Sequence, residues 1–179
     1  MKYLLPVILI LLLTLSVFAP WLAICQGQGR QDAVTSATPI QKDIYNNIKV
    51  TRVIDGETLE LENGERVRLI GIDTPEMDDE KWEKAYEFTK MLVEGKKVRL
   101  GFDVQEKDKY GRLLAYVFID YPLEMKIKRP AWYYFGRNNR NNYLFINATI
   151  VRAGYANLMI IPPNVKYADL FQRLYQEEK

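Results

Sequence analysis

The sequence predicts an α+β domain: a small barrel of five short strands with about three helices, preceded by an apolar segment. Three observations carry this. Residues 53–76 (VIDGETLELENGERVRLIGIDTPE) contain two alternating runs on either side of Asn63-Gly64, with Leu59 and Leu61 spaced by polar residues and Val67 and Leu69 spaced by Arg66 and Arg68. Asn-Gly between such runs predicts a hairpin, and a type I′ turn with φ > 0 at both central residues. Trp82, Ala85, Phe88, Thr89, Leu92 and Val93 recur at helical spacing. Two further alternating stretches, 97–103 and 113–120, supply strands beyond that helix. The length of 179 residues and 48% apolar content are ample for one core.

From the start, Lys2 is followed by apolar residues with no charge until Arg30. About 20 apolar residues span a bilayer, and a shorter apolar core behind a basic start suits a signal peptide. Residues 1–25 therefore read as a signal peptide or a retained membrane anchor. Ala19 offers a cleavage position but Pro20 follows it, and Leu22-Ala23-Ile24-Cys25 resembles a lipoprotein signal with Ile24 in place of a small residue. Both modes stay open; the expected location is extracytoplasmic, secreted or tethered to the outer face of a membrane. Residues 26–46 are polar and aperiodic, a linker.

The domain occupies residues 47–179. Its first strand is expected over 47–54, then the hairpin. Asp78, Asp79 and Glu80 open the helix, Lys90 lies near its end and Gly95 stops it, in keeping with the helix dipole and the glycine C-cap. Asn147 reads as the N-cap of a short helix ending at Gly154, and residues 166–178 as a last amphipathic helix with Tyr167, Leu170, Phe171 and Leu174 inward. Asn147-Ala148-Thr149 also matches a glycosylation sequon; the cap is the preferred reading. Five short strands with one helix between the third and fourth suggest a partly open barrel of the OB kind.

Composition narrows the chemistry. There is no histidine, which excludes Ser-His-Asp hydrolysis and His-ligated zinc. A single cysteine, Cys25, excludes an intrachain disulfide framework. The net charge is +2, from 25 basic and 23 acidic residues, so any polyanion site must be local. Folding the hairpin brings its outer acids together, Asp55 and Glu57 with Asp73 and Glu76, and Arg68 returns to the same end. Carboxylates beside a guanidinium are equipment for a divalent cation and a phosphodiester.

The blocks IDGET (54–58), VRLIGIDTPE (67–76) and DKYGR (108–112) together resemble the staphylococcal nuclease (thermonuclease) family, in the family's order, from about residue 49 to the C-terminus. The resemblance implies the OB barrel and the roles that follow. Glu57 and Asp73 match the calcium-ligating carboxylates, the Thr74 carbonyl matches the third protein ligand, and Asp55 matches an acid that steadies metal-bound water. Glu76 matches the general base, Arg68 and Arg112 the guanidiniums on the scissile phosphate, and Lys109 and Tyr110 the residues beside the nucleotide's phosphate. It implies a calcium-dependent, sugar-non-specific nuclease acting by water attack on DNA and RNA, single-stranded or locally melted stretches favoured, leaving 3′-phosphate ends. A monomer is expected, with membrane contact through the N-terminus if it is uncleaved. The alternative is an OB-fold module that binds single strands or a protein partner without cutting.

Four features depart from the family pattern. Glu57 stands where aspartate is usual, placing its carboxylate about 1 Å further out. The segment after Glu76 is shorter. Residues 121–143 are inserted and mix basic with aromatic side chains: Lys126, Lys128, Arg129, Arg137 and Arg140 with Trp132, Tyr133, Tyr134 and Phe135. This suits single-strand stacking, a membrane-interface loop or a cover over the barrel. Finally, Met159-Ile160-Ile161-Pro162 lies where the family has base-packing tyrosines.

Overall fold

The computed structural model describes residues 42–123, 125, 130–138 and 141–178. The apolar N-terminus, the linker up to residue 41, and Lys126, Lys128, Arg129 and Arg140 of the insertion lie outside these residues. A 3-10 turn, Lys42–Tyr45, leads into β1 (Asn46–Asp55). Then come β2 (Thr58–Leu61), β3 (Arg66–Leu69), β4 (Gly71–Asp73), helix α1 (Trp82–Val93), β5 (Lys97–Gly101) and β6 (Leu113–Pro122). The chain continues through β7 (Phe135–Arg137), β8 (Asn141–Phe145), α2 (Ile146–Arg152), β9 (Asn157–Met159) and α3 (Ala168–Glu178). The expected five strands and three helices are present, and they form an OB-type α+β domain.

Strands β3, β2, β1, β5 and β6 are neighbours in that order, and β3 also pairs with β6. That last, parallel pairing, with Arg68 opposite Leu114, closes the barrel, where the sequence suggested a partly open one. Register shifts in β1, between Val50 and Arg52 and between Val53 and Asp55, bend that long strand so that it serves β2 and β5. The insertion adds β8 and β7 outside β6. Tyr134 and Phe135 pack on the core, so the described part of the insertion extends and covers the sheet, while Trp132 stays exposed.

The hairpin forms, with a different turn. Gly64 donates to Leu61 O and Leu61 donates to Glu65 O. Only Gly64 takes positive φ (+82°), and Asn63 Oδ1 accepts from the Glu65 N–H instead. The loop is a type I turn followed by a left-handed glycine, not type I′. Helix α1 ends as expected: Gly95 has φ +74°, and Lys96 Nζ donates to the free carbonyls of Met91 and Leu92 at 2.8 and 2.7 Å.

Asn147 corrects the sequence reading. Phe145 holds the N-cap position of α2, and Asn147 lies within the helix, fully buried. Its amide donates to Ile70 O at 2.9 Å and its oxygen accepts from Val117 N at 2.9 Å. It ties α2 to β6 and to the end of β3, and burial removes it as a glycosylation acceptor.

At the start of β4, Gly71 has φ +85°, and a methyl group there would meet the Phe171 ring at 2.4 Å. Both a left-handed backbone and an occupied space oppose any side chain. Gly71→Ala is expected to lower stability by about 2–4 kcal/mol, the sum of backbone strain and overpacking. Urea unfolding checks this; a loss under 1 kcal/mol would show that Phe171 moves freely.

Candidate active site

The β1–β2 turn is positioned by its glycine. A Cβ on Gly56 would lie 2.6–2.8 Å from Thr74 side-chain atoms, and Thr89 of α1 donates to Gly56 O at 2.8 Å. The turn is thus pressed between β4's outgoing residues and α1, which carries the acids of β1 to those after β4. Asp55 Oδ1 accepts from the Glu57 N–H at 2.9 Å, and Glu57 Oε2 accepts from the Thr74 N–H at 2.8 Å.

Arg68 points from β3 into this meeting point and is buried. Nη1 donates to Leu69 O at 2.6 Å and Ile72 O at 2.8 Å. Nη2 lies 2.6 Å from Glu57 Oε1 and 3.6 Å from Asp73 Oδ1, with Met159 Sδ at 3.7 Å. Burial pulls the Arg68 pKa down from its ordinary value; Glu57 and Asp73 oppose this, and the charge of Arg112 adds to it. For Glu57 burial is again the largest effect, pushing its carboxyl up to about 7 against the pull of Arg68 and the Thr74 N–H.

Facing this wall is the loop before β6. Gly111, at φ +82°, donates to Asp108 O, and Asp108 donates to Arg112 O, the same type I turn plus left-handed glycine as at Gly64. Asp108 organises it: Oδ1 accepts from Tyr110 N and Arg112 N, and Oδ2 accepts from Arg112 Nε at 2.7 Å. Burial alone would raise the Asp108 pKa, but these Arg112 and Tyr110 bonds outweigh it and hold the carboxyl low. Lys109 and Tyr110 sit exposed at the tip, with the ammonium 4.9 Å from the ring centroid.

The two walls enclose a cleft of about 650 Å³ lined by Asp55, Glu57, Arg68, Asp73, Glu76, Lys109, Tyr110 and Arg112. All the residues singled out in the sequence except Thr74 line it; Thr74 is buried behind, with its N–H on Glu57. Among the described residues no three acidic or cysteine side chains converge as a ready metal cage; the expected set of two carboxylates and a carbonyl is of another kind. Met159 and Ile161 form an apolar part of the rim. Two roles escaped the sequence reading. Asp108, taken only as part of a motif, is the clamp on Arg112, a role its spacing from Tyr110-Gly111 could have signalled. The Gln105–Asn164 pair on the rim left no sequence signal, because its two members are far apart in the chain.

Comparison with known proteins gives a consistent result. The family profile described as "Staphylococcal nuclease homologue" matches residues 66–179, downstream of Asp55 and Glu57. The chain is 33% identical over 151 residues to the thermonuclease of Staphylococcus intermedius, covering 79% of this chain and 75% of that protein. It is 32% identical over 140 residues to the thermonuclease of Staphylococcus hyicus, covering 73% and 68%. Endonuclease YncB of Bacillus subtilis is 32% identical over 164 residues, covering 86% and 67%.

The buried Glu57 carboxyl sets a pH dependence. Its folded value near 7 exceeds the ordinary 4.5, so folding favours the neutral form. That contribution to stability is complete below about 4.5 and is lost as pH rises through 7. In the metal-free protein the Glu57 carboxyl carbon resonance is expected to titrate with a midpoint near 7. A midpoint below 5 would mean that the Arg68 contact outweighs burial.

Proposed function

The chain belongs to the staphylococcal nuclease family, and from that membership we propose that it is a calcium-dependent nuclease hydrolysing phosphodiester bonds of DNA and RNA. The observation that carries this reading is that one cleft is lined by Glu76, Arg68 and Arg112 together with Asp55, Glu57 and Asp73. Phosphodiester hydrolysis needs an activated water, neutralised phosphate oxygens and alignment of the two, and this side-chain set supplies each.

Arg112 grips a phosphate oxygen with the guanidinium nitrogens that Asp108 leaves free, its Nε held at 2.7 Å. The clamp limits the freedom lost when phosphate arrives, and a planar guanidinium stays charged throughout. Arg68 neutralises a second oxygen from below. Glu76, exposed at the cleft's edge, takes the proton from the attacking water, an effect worth roughly 10²–10⁴ in rate. Lys109 and Tyr110 flank the incoming strand.

Glu57, Asp73 and the Thr74 carbonyl would hold calcium, with Asp55 steadying its water; an all-oxygen set fits a large, geometrically tolerant cation. Bound there, calcium supplies positive charge at the phosphoryl oxygen and orients the water. Glu57 Oε1 lies 2.6 Å from Arg68 Nη2, so before calcium and phosphate arrive the guanidinium has this carboxyl as its partner. The apolar residues 1–25 support export, with the domain secreted or tethered.

Plasmid and single-stranded RNA should be degraded with added calcium, while chelator should abolish turnover; robust cleavage in chelator would remove the metal from the reading. Calcium affinity should weaken as pH falls below about 7, because a proton then competes with the cation for Glu57.

Glu76→Gln keeps shape and loses the proton acceptor. Turnover is expected to fall by roughly 10²–10⁴ with calcium affinity unchanged. A parallel loss of calcium affinity would reassign Glu76 to ordering the metal site. Wild-type protein that binds single strands but cuts nothing in calcium would establish the non-catalytic binding module instead.

A further inference from the structure

A second, smaller cleft of about 230 Å³ opens on the sheet formed by β5, β6 and β8. Its walls are Arg99, Gly101 and Phe118 of the barrel, Tyr143 of the inserted hairpin, and Lys166 and Tyr167 just before α3. Gly101 keeps the floor low, since a methyl group there would approach the Phe118 ring to 3.0 Å. Two aromatic walls are fixed in place. Tyr143 stands edge-on to Phe118 at 5.4 Å and 88°, and Tyr167 stands edge-on to Tyr116 at 4.6 Å and 88°. Gly136 lies so close beneath Tyr143 that a Cβ would come within 2.2–2.4 Å of its ring and hydroxyl.

The two cations of this cleft differ. Arg99 packs over the Phe118 ring at 4.5 Å and is neutralised by Asp120 through Nε and Nη2, at 2.7 and 2.9 Å. Lys166 is exposed, with its ammonium 5.5 Å from the Tyr167 ring centroid. It makes no ion pair among the described residues. Its backbone N–H is fixed on Asp103 Oδ2 at 3.0 Å. The cleft therefore offers rigid ring surface beside one uncommitted positive charge.

One short segment of chain contributes to both clefts. Ile161 and Asn164 line the first cleft, Lys166 and Tyr167 the second. Asn164 is locked to the Gln105 backbone by two hydrogen bonds of 2.8 Å, so the strap between the clefts is rigid. From Asn164 to Lys166 the chain covers at most about 7 Å. A strand that followed this segment out of the first cleft would reach Lys166 and Tyr167 within a few ångströms of chain.

We propose that the second cleft docks a single-stranded nucleotide unit outside the scissile bond, its base on Tyr143 and Tyr167 and its phosphate on Lys166. This rests on the nuclease reading above. Base–ring contact requires an unpaired base, and every base offers a π-face, so the site favours single strands without choosing sequence. Tyr143 comes from the inserted residues 121–143, which gives that insertion a use.

The test measures fluorescence anisotropy of 5′-labelled oligothymidylates in chelator, where nothing is cut, for wild type, Lys166→Glu and Tyr143→Leu. Thermal melts report the fold of each variant. The dodecamer is expected to bind about tenfold more weakly to Lys166→Glu, with the slope of log K against log salt smaller by about 0.7, one phosphate's share for a single strand. Tyr143→Leu should weaken it several-fold with the slope unchanged. A trimer, too short to reach past the first cleft, should bind all three proteins within twofold, as should a duplex dodecamer.

Unchanged dodecamer binding, or equal loss for trimer and dodecamer, overturns the proposal. A length-dependent loss in a protein that cuts nothing in calcium would sustain the docking site while removing the nuclease. Normal cleavage with unaltered dodecamer binding in both variants would do the reverse.

Discussion

The site depends on one buried cation. The Arg68 guanidinium lies beneath the cleft with Leu69 O, Ile72 O and Glu57 as its partners. A charge taken from water is tolerated only when its donors are satisfied and a counter-charge is close. Meeting that demand fixes much else. The chain must turn between β3 and β4 so that two carbonyls face one nitrogen, and Gly71 supplies the left-handed residue that permits it. The β1–β2 turn must present Glu57 within 2.6 Å. The acids of two separated segments converge because each is required near the same guanidinium.

The surrounding core makes that arrangement rigid. Asn147 spends its amide on Ile70 O and its oxygen on the Val117 N–H, which locks the end of β3 against β6 from inside. The parallel β3–β6 pairing places Arg68 directly opposite Leu114, two residues beyond Arg112. Arg68 is therefore set on β3, and Arg112 on the residue just before the paired β6, where the Asp108 clamp holds it in its loop. This suits a site in which small displacements of positioning groups are costly.

Much of this was legible in the chain, for identifiable reasons. Leu59, Leu61, Val67 and Leu69 are all buried, as their alternation in β2 and β3 predicts, and α1 has a periodic face with a glycine stop. Burial of the neighbouring Thr58 and Arg68 is what the pattern did not give. Asp55, Glu57, Arg68, Asp73 and Glu76 were legible because the hairpin carries them to one end, whereas Lys109, Tyr110 and Arg112 were legible only through the resemblance of the DKYGR block. What could not be read was where polar side chains send their hydrogen bonds. Asn147 has the chemistry of a cap, but the buried peptide groups of β6 and the β3–β4 turn compete for it and win. The Asn63-Gly64 turn admits two geometries, and a three-residue loop fits the Glu60–Arg66 register. The engagement of Glu57 by Arg68 depends on a side-chain length whose effect only the folded backbone reveals.

Barrel closure bears on how copies of this chain behave in company. An open five-stranded sheet offers unpaired N–H and C=O groups along both flanks, ready templates for another chain. Here one flank, β3, is consumed by β6, and the other has been moved outward to β7. That terminal strand is only three residues long and ends in exposed Arg137. A short, charged edge is a poor start for strand-by-strand growth into fibres, so the inserted hairpin also serves as a guard on the exposed margin of the main sheet.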